Sequence, residues 1–204
     1  MTDEVIEIIA YYPCLAKQIH LPIQSGDDKV LIHMNRNHNL KKYRQIVSTV
    51  RKLIPEATLF TDIIVGFTGE NEEQFENTRK AMQEFKYNMA YIAMYSPRPG
   101  ALSHRWFDNV SLDIKKQRHY QLTEDLKIHS RNYNNKMIGK SFRVLVKGKA
   151  RHEGFLAGLT EGKINVRFLS KNESLIGNFV DLKIINATDF SLEGELVTIN
   201  ELAL

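Results

Sequence analysis

The sequence predicts an α/β chain in two parts: a parallel sheet with crossover helices, then a small antiparallel β-barrel. Three observations predict it. Over residues 1–100, short apolar runs alternate with segments of helical period, the pattern of parallel strands joined by right-handed helical crossovers. From residue 142 onward, five short runs follow one another between Gly, Asn and Asp turns, the spacing of a small barrel. Between the two lies one long basic helix, and the domain boundary is placed near Ile138, giving domains 1–137 and 138–204.

Each element has a local reason. Val5, Ile8, Ile9 and Tyr12 fall on one face of a short helix that Pro13 ends, and Gln18–Gln24 reads as a short buried strand. Asp27 can cap a helical turn carrying Val30, Leu31 and Met34. Asn39 caps a longer helix whose Leu40, Tyr43, Val47, Val50 and Ile54 repeat at the helical period. Leu59–Phe67 is a second buried strand. Asn71, with Glu72 and Glu73 in the first turn, opens a third helix with Phe75, Met82 and Phe85 inward, and Met89–Tyr95 is a third strand. Ser111 starts the long helix, which reaches about Met137. The barrel strands are Phe142–Lys147, Gly154–Leu159, Lys163–Phe168, Phe179–Ile185 and Ser191–Ile199.

Charge is segregated along the chain. Residues 1–112 are neutral, with 13 basic and 13 acidic residues, whereas 113–171 carry 14 basic against 5 acidic, a net +9. Residues 172–204 hold one lysine and six acids. Such clustering points to a polyanionic partner, because grouped cations release its counterions, although a solvated helix face gives the same count. No apolar run approaches the ~20 residues of a membrane span, and Asp3, Glu4 and Glu7 stand where a signal peptide is basic and then apolar. A cytoplasmic protein without membrane contact is expected. The single cysteine, Cys14, supplies neither an intrachain disulfide nor the thiolates of an iron–sulfur cluster. No phosphate-binding loop, dinucleotide fingerprint, serine elbow or histidine metal motif is present, and the expected catalytic and metal residues are none.

Four stretches place polar and glycine residues at the carboxyl ends of the strands, where parallel α/β folds bind ligands. They are His20-Leu21-Pro22-Ile23-Gln24-Ser25-Gly26, Met34-Asn35-Arg36, Thr61 to Glu70 (TDIIVGFTGE), and Tyr95-Ser96-Pro97-Arg98-Pro99-Gly100. Read in order, they resemble the second half of the radical S-adenosylmethionine domain of methylthiotransferases, most closely the tRNA branch. Residues 138–146 (IGKSFRVLV) and 181–197 (DLKIINATDFSLEGELV) resemble the RNA-binding TRAM domain that follows in those enzymes. The resemblance implies half of a TIM-like parallel barrel followed by an OB-like barrel. It also implies a carboxyl-terminal piece, because the family's CxxxCxxC loop and its amino-terminal cysteine domain have no counterpart here. The [4Fe–4S] ligands are therefore absent, and the first strand lacks its preceding neighbours. Thr68 stands in place of the family's usual proline, and Leu159 where many relatives have arginine.

The resemblance also assigns roles. In the family, a reduced cluster splits S-adenosylmethionine, and a methylthio group is added to C2 of an N6-isopentenyladenosine beside the tRNA anticodon. Gln24 and Ser25 would meet the cofactor's polar ends, Arg36 its carboxylate, and Gly66 would admit the adenine, with the peptide groups of Tyr95 and Ser96 at its edge. Asp62 joins this cofactor set. From the residues alone, Gln24, Ser25 and Arg36 equally fit a loop that caps the next helix, and Asp62 equally fits a structural partner. Arg98, between two prolines, suits a phosphate or simply faces solvent. Arg143, Lys147, Lys149, Arg151, Lys163 and Arg167 form the expected RNA-binding set on the barrel, extended by Lys115, Lys116, Arg118 and Arg131 on the long helix. The expected partners are the tRNA anticodon stem-loop, the absent amino-terminal portion, and a second copy through the unpaired sheet edge. A non-catalytic RNA-binding module, and a methylthiotransferase of another substrate (threonylcarbamoyladenosine tRNA or a ribosomal protein), remain the alternatives.

Overall fold

The computed structural model describes residues 1–197. The chain divides into two compact units, Met1–Pro13 with Ile19–His129, and Cys14–Gln18 with Ser130 onward.

The first unit holds a parallel sheet of strands β1 (Gln18–His20), β2 (Thr58–Val65) and β3 (Met89–Met94), in that order. β2 and β3 run in register from Phe60↔Met89 to Val65↔Met94. β1 is shorter than the expected Gln18–Gln24 because Pro22 has no N–H to give the ladder, and the Ile23 N–H turns to the Thr61 hydroxyl at 2.9 Å. Pairing resumes at Gln24, whose N–H donates to Asp62 O and whose carbonyl accepts from Ile64 N, both at 2.9 Å. That bridge carries the loop past the end of the strand and delivers it beside β2.

Helices α1 (Asp3–Tyr11), α2 (Asp28–His33), α3 (Leu40–Leu53) and α4 (Glu72–Phe85) are interspersed with the strands along the chain. Their caps are those the sequence offers. Asp27 Oδ1 accepts from Lys29 N at 3.0 Å and Val30 N at 3.1 Å, and Asn39 Oδ1 accepts from Lys42 N at 2.9 Å. Asn71 and Gln74 exchange reciprocal bonds of 2.9 and 3.0 Å in a capping box. Tyr43, Val47, Val50 and Ile54 are buried along α3, as are Phe75, Met82 and Phe85 along α4. The expected apolar face of α1 is corrected. Ile6 is its buried residue, with Ile9 and Ala10 half-covered one turn on, while Val5, Ile8 and Tyr12 are exposed. Contact with α3 selects the Ile6 stripe of the two that this apolar helix offers.

The long helix α5 (Leu112–Asn135) begins after Ser111, whose Oγ accepts from Ile114 N at 3.3 Å. Its last residues belong to the second unit, where Asn134 Nδ2 donates to the carbonyls of Thr188 and Asp189 at 3.0 and 3.1 Å. No described helix is long and apolar enough to cross a membrane.

The second unit is a closed barrel of β4 (Ser141–Lys149), β5 (Phe155–Thr160), β6 (Asn165–Leu169), β7 (Phe179–Ala187) and β8 (Ser191–Leu196), ordered β4-β5-β6-β8-β7. The expected last strand reached Ile199, and its final two residues lie outside the described ones. The expectation of an antiparallel barrel is corrected at one seam, since β6 and β8 pair in parallel. Parity requires it. A closed ring with an odd number of strands cannot alternate direction throughout, so one pair must run the same way. Val144, Val146, Leu156, Val166, Phe168, Leu182, Ile184 and Leu192 fill the interior.

Gly158 allows β4 and β5 to close, because a Cβ there would lie 2.5 Å from Leu145 O and 2.6 Å from Val144 Cγ1. Gly158→Ala should therefore destabilise the chain by about 1–3 kcal/mol. Gly148→Ala on the same sheet, where a Cβ meets nothing within 4 Å, should change stability by less than ~0.5 kcal/mol. Urea melts followed by circular dichroism check the pair.

Candidate functional site

The loop leaving β2 is built around a buried carboxylate. Gly66, at φ +68°, turns the chain into the left-handed region, and its N–H donates to Glu70 Oε2 at 2.6 Å. Glu70 is buried and meets Arg118 from α5, whose Nη1 donates to Glu70 Oε2 at 2.9 Å and to the Glu70 carbonyl at 3.1 Å. Burial raises the Glu70 carboxyl above its ordinary value, opposed by the Gly66 N–H and the Arg118 charge. One turn earlier on α5, Lys115 Nζ donates to the Tyr95 carbonyl at 3.1 Å and to Asp108 Oδ2 at 2.5 Å. Two loops, one after β2 and one after β3, are thus fastened to a single helix.

Lys115 and Arg118 are each only 5% exposed, so neither extends an RNA surface as expected. Lys115 also packs beside Gly66. A Cβ on Gly66 would sit 2.4 Å from Lys115 Cγ, so the glycine makes room for the lysine stem. The Arg118 Nε and the Thr68 hydroxyl are buried without a hydrogen-bond partner.

Beside these loops opens a cleft of about 760 Å³ at the carboxyl ends of β2 and β3. Arg36, Tyr95, Ser96 and Arg98, all expected at a site, line it together with Phe67 and Trp106. The Phe67 ring stands edge-on to Tyr95 at 4.8 Å and to Trp106 at 6.0 Å, giving the cleft an aromatic wall. Gln24 adjoins it through Arg36, whose Nη2 donates to Gln24 Oε1 at 3.2 Å. The Tyr95 peptide is committed at both ends, its N–H to Val65 O at 2.9 Å and its carbonyl to Lys115.

Ser25 and Asp62 stand apart from the cleft lining. Ser25 is fully buried, its Oγ accepting from Asp27 N at 3.2 Å and lying 3.4 Å from Thr78 Oγ1, which is the loop-capping role the residues equally allowed. Asp62 has a structural partner, His20, at 3.2 Å, and both side chains remain about 40% exposed on the open face of the sheet. The strand's apolar neighbours do not reveal this exposure, because the carboxyl half of that β2 face, with Asp62 and Ile64, is only half-covered. Phe67, Glu70, Trp106, Asp108, Lys115 and Arg118 were missed as site residues. The signals were a glutamate four residues after Gly66 and the chain's single tryptophan.

On the barrel, the expected RNA-binding set splits. Lys149 is paired with Glu173 at 2.7 Å and Arg167 with Glu193 at 2.8 Å. Arg143, Lys147, Arg151 and Lys163 are exposed and make no ion pair among the described residues.

A family model of the Radical SAM superfamily matches residues 1–82, and a TRAM domain model matches 135–197. The chain is 43% identical over 196 residues to a tRNA-2-methylthio-N(6)-dimethylallyladenosine synthase of Clostridium botulinum, covering 96% of this chain and 43% of that protein. The synthase of the same name from Thermus thermophilus is 38% identical over 196 residues, covering 96% of this chain and 42% of that protein. That from Paraburkholderia phytofirmans is 35% identical over 204 residues, covering 98% and 45%. The chain thus carries a Radical SAM segment followed by a TRAM domain and is similar in sequence to these synthases. It spans less than half the length of the curated relatives it matches.

The residues present fit the family's two cofactors unequally. The cleft has the volume, aromatic wall and guanidinium groups that suit a nucleoside carrying a carboxylate, which S-adenosylmethionine is. A four-iron cluster needs about four thiolates, whereas the sequence has one cysteine and the described residues hold no cluster of three His, Cys, Asp or Glu. This chain does not fit a cluster.

Arg118→Met strands the Glu70 carboxylate and should cost about 3–5 kcal/mol, most of it restored when Glu70→Gln is added. Glu70's folded value is raised, so its share of stability is present below the ordinary carboxyl value of 4.5 and lost as pH rises through the raised one. Denaturant titrations across that range should show Glu70→Gln losing this acid-side component.

Proposed function

We propose that this chain is the cofactor-side wall and RNA grip of a tRNA methylthiotransferase, acting on an N6-isopentenyladenosine beside the anticodon in the cytoplasm. The observation that carries the reading is the order of the two matches, radical SAM and then TRAM, on a chain 43% identical to a protein named for that modification. In this reading the three parallel strands are a segment of a larger TIM-like barrel, and the domains are 1–137 and 138–204.

Bound S-adenosylmethionine supplies the transferable methyl group and the radical chemistry. The chain's own residues bind, orient and exclude water. Arg36, held by Gln24, offers a forked donor to a carboxylate, and Arg98 on its proline-stiffened loop takes a phosphate. Phe67 and Trp106 keep water from the reacting edge of the cleft. Glu70, Arg118 and Lys115 hold the two loops that carry Phe67, Arg98 and Trp106, so their geometry needs no reorganisation when ligand arrives. Arg143, Lys147, Arg151 and Lys163 neutralise phosphates and grip the anticodon stem-loop without reading sequence.

Fluorescence anisotropy with a labelled anticodon stem-loop tests the grip. Lys147→Ala with Lys163→Ala should flatten the slope of log K against log salt by about 1.4, two contacts at the single-strand value. Glu173→Ala frees Lys149 and should steepen the slope by up to ~0.7. Unchanged slopes would mean that these lysines only solvate the barrel.

A further inference from the structure

The outer face of the barrel carries an apolar row that its own core does not use. Strand register places Leu159 of β5 beside Leu145 of β4, and Leu145 beside Phe179 of β7, so three strands contribute neighbours to one line. All three point away from the interior, which their neighbours Val144, Val146 and Thr160 face. Leu145 and Leu159 are half-covered, but Phe179 is 57% exposed. Phe179, the first residue of β7, thus leaves apolar surface in water, which favours covering it with a partner.

Cations bracket the row. Arg143 lies two residues before Leu145 on the same strand face, and its guanidinium sits over the Phe179 ring, 4.2 Å from the centroid. Lys147 lies two residues after Leu145, exposed and without an ion pair among the described residues. A partner for this row must offer a flat apolar face together with negative charge on both sides at the spacing of a strand. An unstacked nucleobase flanked by its own backbone phosphates has that chemistry, and an aromatic ring capped by arginine is the platform such bases stack on.

We infer that Phe179, with Arg143, is a base-stacking platform for one unpaired nucleotide of the bound RNA, and that Lys147 holds a neighbouring phosphate. The inference rests on the RNA-gripping reading of the barrel and adds to it a place where a base, rather than the backbone alone, is held.

Stacking and phosphate contacts separate by their salt dependence. Kd for a labelled single-stranded RNA is measured over several salt concentrations with the full chain and its Phe179→Ala, Phe179→Leu, Phe179→Trp and Lys147→Ala variants, each checked for an unchanged thermal melt. Phe179→Ala should weaken binding roughly tenfold at every salt concentration and leave the slope unaltered, because no counterion is involved. Phe179→Leu, which keeps apolar bulk but has no π-face, should lose nearly as much, and Phe179→Trp should retain or improve affinity. Lys147→Ala should lower the slope by about 0.7. Replacing the RNA by an abasic oligonucleotide of equal charge should erase the difference between wild type and Phe179→Ala. Wild-type affinity in Phe179→Ala or in Phe179→Leu would overturn the platform while leaving the phosphate grip intact, and would point to a protein partner for the row. Absence of salt-dependent RNA binding by the wild-type chain would overturn the grip and the platform together.

Discussion

The candidate cleft depends on one buried ion pair. Glu70 accepts from the Gly66 N–H and from Arg118, and through it the left-handed turn after β2 is tied to α5. A carboxylate at that depth is unfavourable by itself, as the upward displacement of its pKa records. With both donors supplied, the same group fixes a backbone turn that no apolar side chain could hold. Lys115 extends the arrangement to the other wall by binding the Tyr95 carbonyl and Asp108. Phe67, Tyr95 and Trp106 then pack edge to face across a gap whose shape is set from behind rather than by its lining.

The barrel answers a different constraint. Five strands must close, one seam must be parallel, and glycines at 158 and 194 let neighbouring strands approach. Its interior is apolar and its charge lies outside, but that charge is not uniform. Lys149 and Arg167 are neutralised by Glu173 and Glu193, whereas Arg143, Lys147, Arg151 and Lys163 are exposed and make no ion pair among the described residues. The net +9 counted along residues 113–171 thus overstates the cationic surface, because it also includes the buried Lys115 and Arg118.

The fold was legible in the sequence where local chemistry decides it. Asp27, Asn39 and Asn71 cap the helices their positions suggest, and the alternating runs of the second half become barrel strands. Legibility failed where a long-range contact chooses between local options. The α1 helix has two apolar stripes, and packing buries the one through Ile6. Pro22 ends the β1 ladder early, although the residues around it are as apolar as a strand requires. Arg36, Tyr95, Ser96 and Arg98 converge on one cleft as motif order implied, but Ser25 is consumed by capping and packing. Gly66 also leaves room for the Lys115 stem, and nothing in local sequence connects positions 49 residues apart.

In the proposed function, this chain grips the anticodon arm of tRNA through the unpaired cations of its barrel, holding the arm for chemistry whose cluster ligands it does not contain. Hydroxyl-radical footprinting of end-labelled tRNA with the purified chain tests it most directly. Protection is expected only over the anticodon stem and loop, fading as salt is raised. Protection spread evenly over the tRNA, or centred on the acceptor arm, would contradict it.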